Sequence, residues 1–166
     1  MIVVLENFIT EEQEKEIVSN LKPSKVKAGS GRNIVTRYGS KLPYKARVKS
    51  HIIPPYFLSI CEQIGKVLGY EIPDSVTVNE YMPGQSIDWH TDSLSSGPVI
   101  VVLSLISSAE MGLRDNTTKE NTTITLNTRS LLVLDGEHRT DWEHCIYPVQ
   151  SHRFSIVFRK GTYVDI

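Results

Sequence analysis

The sequence predicts a mainly β, α+β fold: an antiparallel sandwich or barrel with N-terminal helices packed on one sheet. Three observations carry this expectation. After Pro73 the chain runs as short segments rich in β-branched and aromatic residues, punctuated by turn sequences such as "MPGQ", "SSGP" and "DGEH". Ahead of them, two stretches place apolar residues at helical spacing. The chain has 166 residues and 40% hydrophobic content, enough for one good core and too little for two ordinary domains, so residues 1–166 are read as a single domain.

Taken in order, the opening "MIVVLENF" is an apolar run broken by Glu6. It has no basic lead and no apolar core long enough for a signal peptide, and no segment approaches transmembrane length. Cys61 and Cys145 are too few for a disulfide framework and fit reduced, buried thiols. These features predict an intracellular protein, cytoplasmic or in the nucleoid or nucleus, that is not secreted. "TEEQEKEIVSNL" then sets Thr10 and Gln13 as a capping box, with acidic residues in the first turn and Ile17, Val18 and Leu21 on one face, and is read as a helix. "PPYFLSICEQIGKVLG" is read as a second helix, with Phe57, Ile60, Cys61, Ile64, Val67 and Leu68 as its apolar stripe and Gly69 as its stop. "SVTVNEYM", "PVIVVLSLI", "TTITLN", "SLLVLD" and "RFSIVFRK" are read as strands, within a β core spanning 75–160.

Charge is distributed unevenly. The net charge is −1, which taken whole argues against a nucleic-acid binder. Nine of the 18 basic residues nevertheless fall between Lys22 and His51, and none of the 19 acidic ones does. That segment has the electrostatic footprint of a phosphate-backbone contact, with Tyr38 and Tyr44 interleaved as stacking platforms. A solvated loop balanced by the acidic helix before it is the plainer alternative.

Chemistry enters at "SIDWHTDSL". In an extended chain residues i and i+2 project from one face, so His90 and Asp92 can grip one object, and a metal ion is the obvious one. Two such ligands bind a divalent ion weakly. His138, His144 and His152 are candidates for a third, and His144 is preferred because it closes an extended segment that can lie antiparallel beside the strand carrying Arg153. His138, after "DGE", reads as a turn histidine facing solvent. In "RFSIVFR" one face carries Arg153, Ser155, Val157 and Arg159, and the other Phe154, Ile156 and Phe158. With the aromatic face packed, the two guanidiniums point together into the remaining space. If that space is interior they need anionic partners, which a dicarboxylate would supply; an edge strand with two solvated arginines is the alternative. Asn79 and Tyr81 share a face in "VNEYMPG" and offer an amide and a phenol to a polar ligand.

The motifs "NEYMPG", "HTD", "GPVIVVLSL", "SLLVLDGEHR", "HCIYP" and "RFSIVFR", in this order over nearly all of the chain after residue 76, resemble the AlkB branch of the iron(II) and 2-oxoglutarate-dependent dioxygenases. The resemblance implies a double-stranded β-helix, or jelly roll. It also implies Fe(II) held by His90, Asp92 and His144, with 2-oxoglutarate as cosubstrate alongside O2, held by Asn79, Tyr81, Arg153 and Arg159. Arg153 would take the distal carboxylate of the cosubstrate and Arg159 would lie near its C1 carboxylate; Ser155, where relatives often carry Asn, stands for a secondary contact. "RNIVTRYGSKLPYK" resembles the family's substrate lid, within the basic segment 22–51.

Two histidines and a carboxylate occupy one face of an octahedral ferrous ion and leave three positions open, the arrangement of non-haem oxygenases. The activity implied is hydroxylation of an N-alkyl group on a base of single-stranded or flipped-out nucleic acid, with loss of formaldehyde. Arg32, Tyr38, Tyr44, Trp89 and Trp142 are then candidate substrate contacts. The family's best-known base demethylase carries an acidic residue two places after the motif aspartate; this chain has Leu94 there. An oxygenase of the same fold acting on a protein side chain or small molecule is the nearer alternative, and a non-enzymatic metal-binding barrel the more distant one.

Overall fold

The computed structural model describes residues 2–22, 34–39 and 52–161. Strand β1 (Ile2–Leu5) is followed by helix α1 (Glu11–Asn20), strand β2 (Ile34–Gly39) and helix α2 (Pro55–Leu68). Strands β3 (Ser75–Tyr81), β4 (Ile87–His90), β5 (Ile100–Leu105), β6 (Ala109–Asp115), β7 (Asn121–Leu126) and β8 (Leu131–Leu134) come next. A short helix α3 (Glu137–Thr140) precedes β9 (Trp142–Ile146) and β10 (Arg153–Arg159).

These strands form two antiparallel sheets that face each other as the halves of a jelly roll, one of six strands in the order β1-β8-β5-β10-β3-β2 and one of four in the order β4-β9-β6-β7. Side-chain alternation divides the apolar residues between two layers. Val76, Val78, Val101, Leu103, Phe154, Ile156 and Phe158 point from the larger sheet onto Ile17, Leu21, Phe57, Ile60 and Ile64 of the helices. Their neighbours in sequence face the smaller sheet, where Ile100, Leu132, Leu134 and Val157 meet Met111, Leu113, Leu126 and Ile146. A one-residue slip of β10 would exchange phenylalanines for arginines at both surfaces, so burial fixes its register.

The helices begin and end as their sequences require. Thr10 Oγ accepts from the Gln13 amide at 3.1 Å while Gln13 Oε1 accepts from the Thr10 amide at 2.9 Å, closing the capping box. Gly69 ends α2 with φ +67°, a left-handed conformation that glycine adopts without a Cβ penalty. Glu14 ties α1 to the sheet, accepting from the Ile106 amide and the Thr128 hydroxyl and pairing with Arg129.

Several sequence expectations are corrected. Val67 is 55% exposed and lies outside the α2 stripe. The opening apolar run is a strand, β1, paired with β8. Residues 34–39 of the lid motif form the edge strand β2, paired with β3; the rest of that motif lies outside the described residues. β9 does not lie beside β10: it pairs with β4 and β6 in the other sheet, and so faces β10 across the interior.

Candidate metal and cosubstrate site

β4 and β9 pair with His90 directly opposite His144. Side chains at such a position leave the same face of the sheet, and the two imidazole centroids are 4.3 Å apart. Asp92, just beyond the end of β4, brings Oδ1 to 3.3 Å from His90 Nε2 and 3.9 Å from His144 Nε2. One ligand atom from each of the three lies within 4.8 Å of the others, and among the described residues no other trio of His, Cys, Asp or Glu does so.

The protonation states suit a cation. His144 is pushed down to about 4, mainly by burial and then by the charge of His90, so its ring is neutral at neutral pH with a lone pair to donate. Burial disfavours the charged form of Asp92, but His90, Arg159 and His144 outweigh it and hold the carboxyl well below its ordinary range. Burial likewise opposes protonation of His90, yet the hydrogen bonds to Asp92 and to the Asp88 carbonyl raise it. His90 Nδ1 lies 2.8 Å from the Asp88 carbonyl oxygen, a bond that holds a proton on Nδ1, so a cation would bind at Nε2 in place of the proton shared with Asp92.

Beside this trio opens a cavity of about 370 Å³ between the sheets, with Asn79, Tyr81, Ser155, Val157 and Arg159 in its wall. Register explains the grouping, since Ser155 pairs with Asn79 and Arg153 with Tyr81 on the inward face of adjacent strands. Arg159 forks onto Asp92 Oδ2, with Nη2 at 2.6 Å and Nε at 3.2 Å, and donates to Thr77 Oγ1. Arg153 is fully buried with its guanidinium 5.2 Å from the Tyr81 ring centroid. Its Nη2 donates to Ser104 Oγ at 2.9 Å, while Nε and Nη1 have no partner among the described residues. Burial pushes Tyr81 up to about 12, so it remains a neutral phenol. Arg153 is not among the residues that line the cavity, but its neighbours Tyr81 and Ser155 are, and a buried guanidinium with two unanswered nitrogens is costly unless an anion completes it, so this position fits a carboxylate ligand.

The other two described histidines are engaged elsewhere. His152 Nε2 lies 2.9 Å from Glu80 Oε2 on the helix side of the sheet. His138 does not face solvent as a turn residue: it sits in α3 against the Trp142 ring, at 4.8 Å between centroids, with Nδ1 buried.

None of the described aromatic substrate candidates lines the cavity. Trp89 alternates with His90 and lies on the outer face of its sheet, under the Arg114 guanidinium and edge-on to Tyr147. Tyr38 packs on Phe57 toward the helices, and Trp142 packs beside the inter-sheet core. Arg32 and Tyr44 lie outside the described residues. The side chains of β2 that do reach the cavity are Val35 and Arg37, joined by Thr91, Ser93, Ser95 and Ser96 from the segment after β4. Leu94 points away and is 72% exposed.

Sequence reasoning also missed Arg139. This residue is 3% exposed, and its guanidinium donates to the carbonyls of Gly97 at 3.1 Å, Asp92 at 2.9 Å and Ser93 at 2.6 Å. It thereby braces the segment bearing Asp92 against the helix that leads into the strand bearing His144. Thr91 adds a second tie, its hydroxyl donating to the Trp142 carbonyl. Arg139 closes the motif "SLLVLDGEHR", but the motif does not announce its role, because its partners are backbone carbonyls more than 40 residues away.

Comparison with known proteins bears on this geometry. The model of the 2OG-Fe(II) oxygenase superfamily matches residues 32–159. The chain is 30% identical over 163 residues to the mouse tRNA (carboxymethyluridine(34)-5-O)-methyltransferase ALKBH8, covering 89% of this chain and 24% of that protein. It is 29% identical over 145 residues to the rat alpha-ketoglutarate-dependent dioxygenase alkB homolog 3, covering 75% of this chain and 49% of that protein. The structure of OsALKBH1 superposes with a TM-score of 0.71 at 17% identity, covering 96% of this chain and 97% of that one. This chain spans about a quarter of the length of the mouse and Xenopus tropicalis ALKBH8 relatives.

Proposed function

The chain belongs to the 2OG-Fe(II) oxygenase superfamily, in its AlkB-like branch, and from that premise we propose that it oxidatively removes N-alkyl groups from bases in nucleic acid. Membership makes it a dioxygenase of the Fe(II), 2-oxoglutarate and O2 class. His90, Asp92 and His144 would hold the iron. Arg153, with Ser104 beside it, would hold the distal carboxylate of 2-oxoglutarate by a charge-assisted fork. Asn79, Tyr81 and Ser155 would line the cosubstrate's path, and Arg159 would steady Asp92 while presenting its charge toward the C1 end.

When bound, Fe(II) with 2-oxoglutarate supplies the oxidising chemistry: one atom of O2 enters succinate as CO2 leaves, and the other enters a substrate C–H bond. The protein's own part is orientation and exclusion of water. The apolar residues Ile87, Ile100, Val102, Met111, Leu126 and Ile146 wall the cavity and limit solvent around the reacting carbon. A hydroxylated N-methyl group is a hemiaminal; it expels formaldehyde and leaves the base with its N–H, while the bond to sugar stays intact.

The observation that carries the substrate class is the run of nine basic residues and no acidic one from Lys22 to His51, which flanks the cavity-lining strand β2 on both sides. The test is incubation with Fe(II), 2-oxoglutarate and O2 against methylated oligonucleotides, peptides and free nucleosides, read by mass spectrometry. Loss of one methyl from an oligonucleotide, with matching formaldehyde and succinate, is the expected result. Gain of one oxygen on a peptide or a free small molecule, with no change in any oligonucleotide, would transfer the assignment to a hydroxylase of the same fold.

A further inference from the structure

We infer that Glu14 is a positioning residue for the cosubstrate: it holds a strained turn at Ile106 that keeps this apolar side chain away from Arg153. The inference rests on the assignment of Arg153 to the distal carboxylate of 2-oxoglutarate made above. Alternation along β5 sends Ile100 and Val102 to the inter-sheet side, and Ser104, which pairs with Ser155, stands there too and meets Arg153. The same parity would send Ile106 inward. Leu105 pairs with Phe154, so the next rung of the β5–β10 ladder would set Ile106 opposite Arg153.

The chain avoids that rung. The ladder ends at Leu105, and the Ser107 amide donates back to the Leu105 carbonyl at 3.0 Å, closing a three-residue turn with Ile106 at φ +74°. A β-branched residue rarely adopts this left-handed region, and such strain persists only where the surroundings hold it. The Ile106 side chain is turned outward and 42% exposed. Glu14, on α1, supplies the hold. Its Oε2 accepts from the Ile106 amide at 3.1 Å and the Thr128 hydroxyl at 2.7 Å, and its Oε1 accepts from Arg129 Nη1 at 3.2 Å. Arg129 is itself at φ +63°, and its amide donates to the Ser104 carbonyl at 2.7 Å. One carboxylate therefore grips the turn that follows Ser104 and the turn that is hydrogen-bonded to it. Beyond Ile106, the Ser107 hydroxyl donates to the carbonyl of His152, the residue before Arg153, at 2.9 Å. Without Glu14 the Ile106 amide loses its acceptor. Relaxation to extended backbone would return the side chain to the inward face, beside a guanidinium whose Nε and Nη1 have no partner among the described residues. An apolar group in that place opposes the entry of an anion.

The experiment measures the Kd of 2-oxoglutarate by calorimetry with Co(II) in place of iron, together with Co(II) affinity and melting temperature. It uses the wild type, Glu14→Ala, the double variant Glu14→Ala with Ile106→Gly, and Arg153→Met. Glu14→Ala is expected to raise the Kd about tenfold, the lower end of what an outer supporting group contributes at a bound site, with Co(II) affinity unchanged. Ile106→Gly removes the side chain and the strain together, and the double variant is expected to return to within about threefold of the wild-type Kd. A merely structural Glu14 would lower the melting temperature and leave the Kd of the folded protein unchanged, which overturns the inference; so does a double variant that binds as weakly as Glu14→Ala. If Glu14→Ala fails to fold, Glu14→Gln, which keeps one acceptor oxygen, decides on the same readouts. If Arg153→Met binds 2-oxoglutarate no more weakly than the wild type, the assignment of Arg153 fails and this inference falls with it. Weakened binding in Arg153→Met beside wild-type affinity in Glu14→Ala sinks this inference alone.

Discussion

Arg153 shows how far a single side chain can specify chemistry. It is fully buried, with one hydrogen bond to Ser104 and two nitrogens unanswered among the described residues. In a protein selected for stability alone an apolar residue of similar volume would serve better there. Arg153→Met is therefore expected to leave the ligand-free melting temperature unchanged or raised. Its KM for 2-oxoglutarate should rise by about 30-fold or more, the ~2 kcal/mol lower bound for losing one partner of a buried charge pair. Thermal melts and succinate assays on the same preparation check both halves. Arg139 makes the complementary case, since it touches none of the ligand atoms and fixes the backbone that carries one of them. Arg139→Lys keeps the charge but loses the fan of three carbonyl contacts. It is expected to weaken Co(II) affinity by about 10–100-fold, with a changed ligand-field spectrum, in a protein that still folds; a merely structural role would lower the melting temperature and leave the affinity alone.

At the scale of elements, alternation made the decisive strands legible. "RFSIVFR" and "VNEYMPG" announce their inward faces because each places polar groups at every second position between apolar ones, and the sheet obeys. β6 was not legible in the same way. Its inward residues Ala109, Met111 and Leu113 alternate with Glu110, Gly112 and Arg114, but the segment lacks the β-branched composition that marks a strand. β1 and β9 were recognisable as apolar or extended, yet their partners were not, because pairing in a jelly roll joins strands distant in sequence. Local pattern states which face is buried and is silent about the neighbour. Gly112 shows what such pairing demands: a Cβ there would lie 2.7 Å from both Cys145 Sγ and the Trp89 ring. Gly112→Ala is expected to cost about 1–3 kcal/mol in chemical denaturation, by displacing the Cys145 and Trp89 side chains that pack over it on the strands carrying His144 and His90.

Across the whole molecule, the fold gathers polar side chains of both sheets around an inter-sheet cavity, and the nine basic residues from Lys22 to His51 flank the cavity-lining strand β2 in sequence. The clustering of His90, Asp92 and His144 was legible because two of them are neighbours in sequence and the third lies in a motif of recognisable order. The aromatic candidates were placed less well: Trp89 and Tyr38 pack on faces away from the cavity, and Trp142, though on the inward face of β9, packs beside the inter-sheet core and does not line the cavity. A binding mode dominated by the basic segment makes a general demand on solution behaviour. Affinity for a single-stranded oligonucleotide should fall linearly on a log–log plot with salt, with a slope of about −0.7 per phosphate contacted. A salt-independent affinity measured by anisotropy would separate the basic segment from substrate capture.

The claim on which the rest depends is that His90, Asp92 and His144, and not another histidine, hold the iron. Succinate formation from 2-oxoglutarate should be lost in His90→Ala, Asp92→Ala and His144→Ala and retained in His138→Ala and His152→Ala, with all five proteins folded. Retention of activity by folded His144→Ala, together with its loss in His138→Ala or His152→Ala, would contradict the account at its centre.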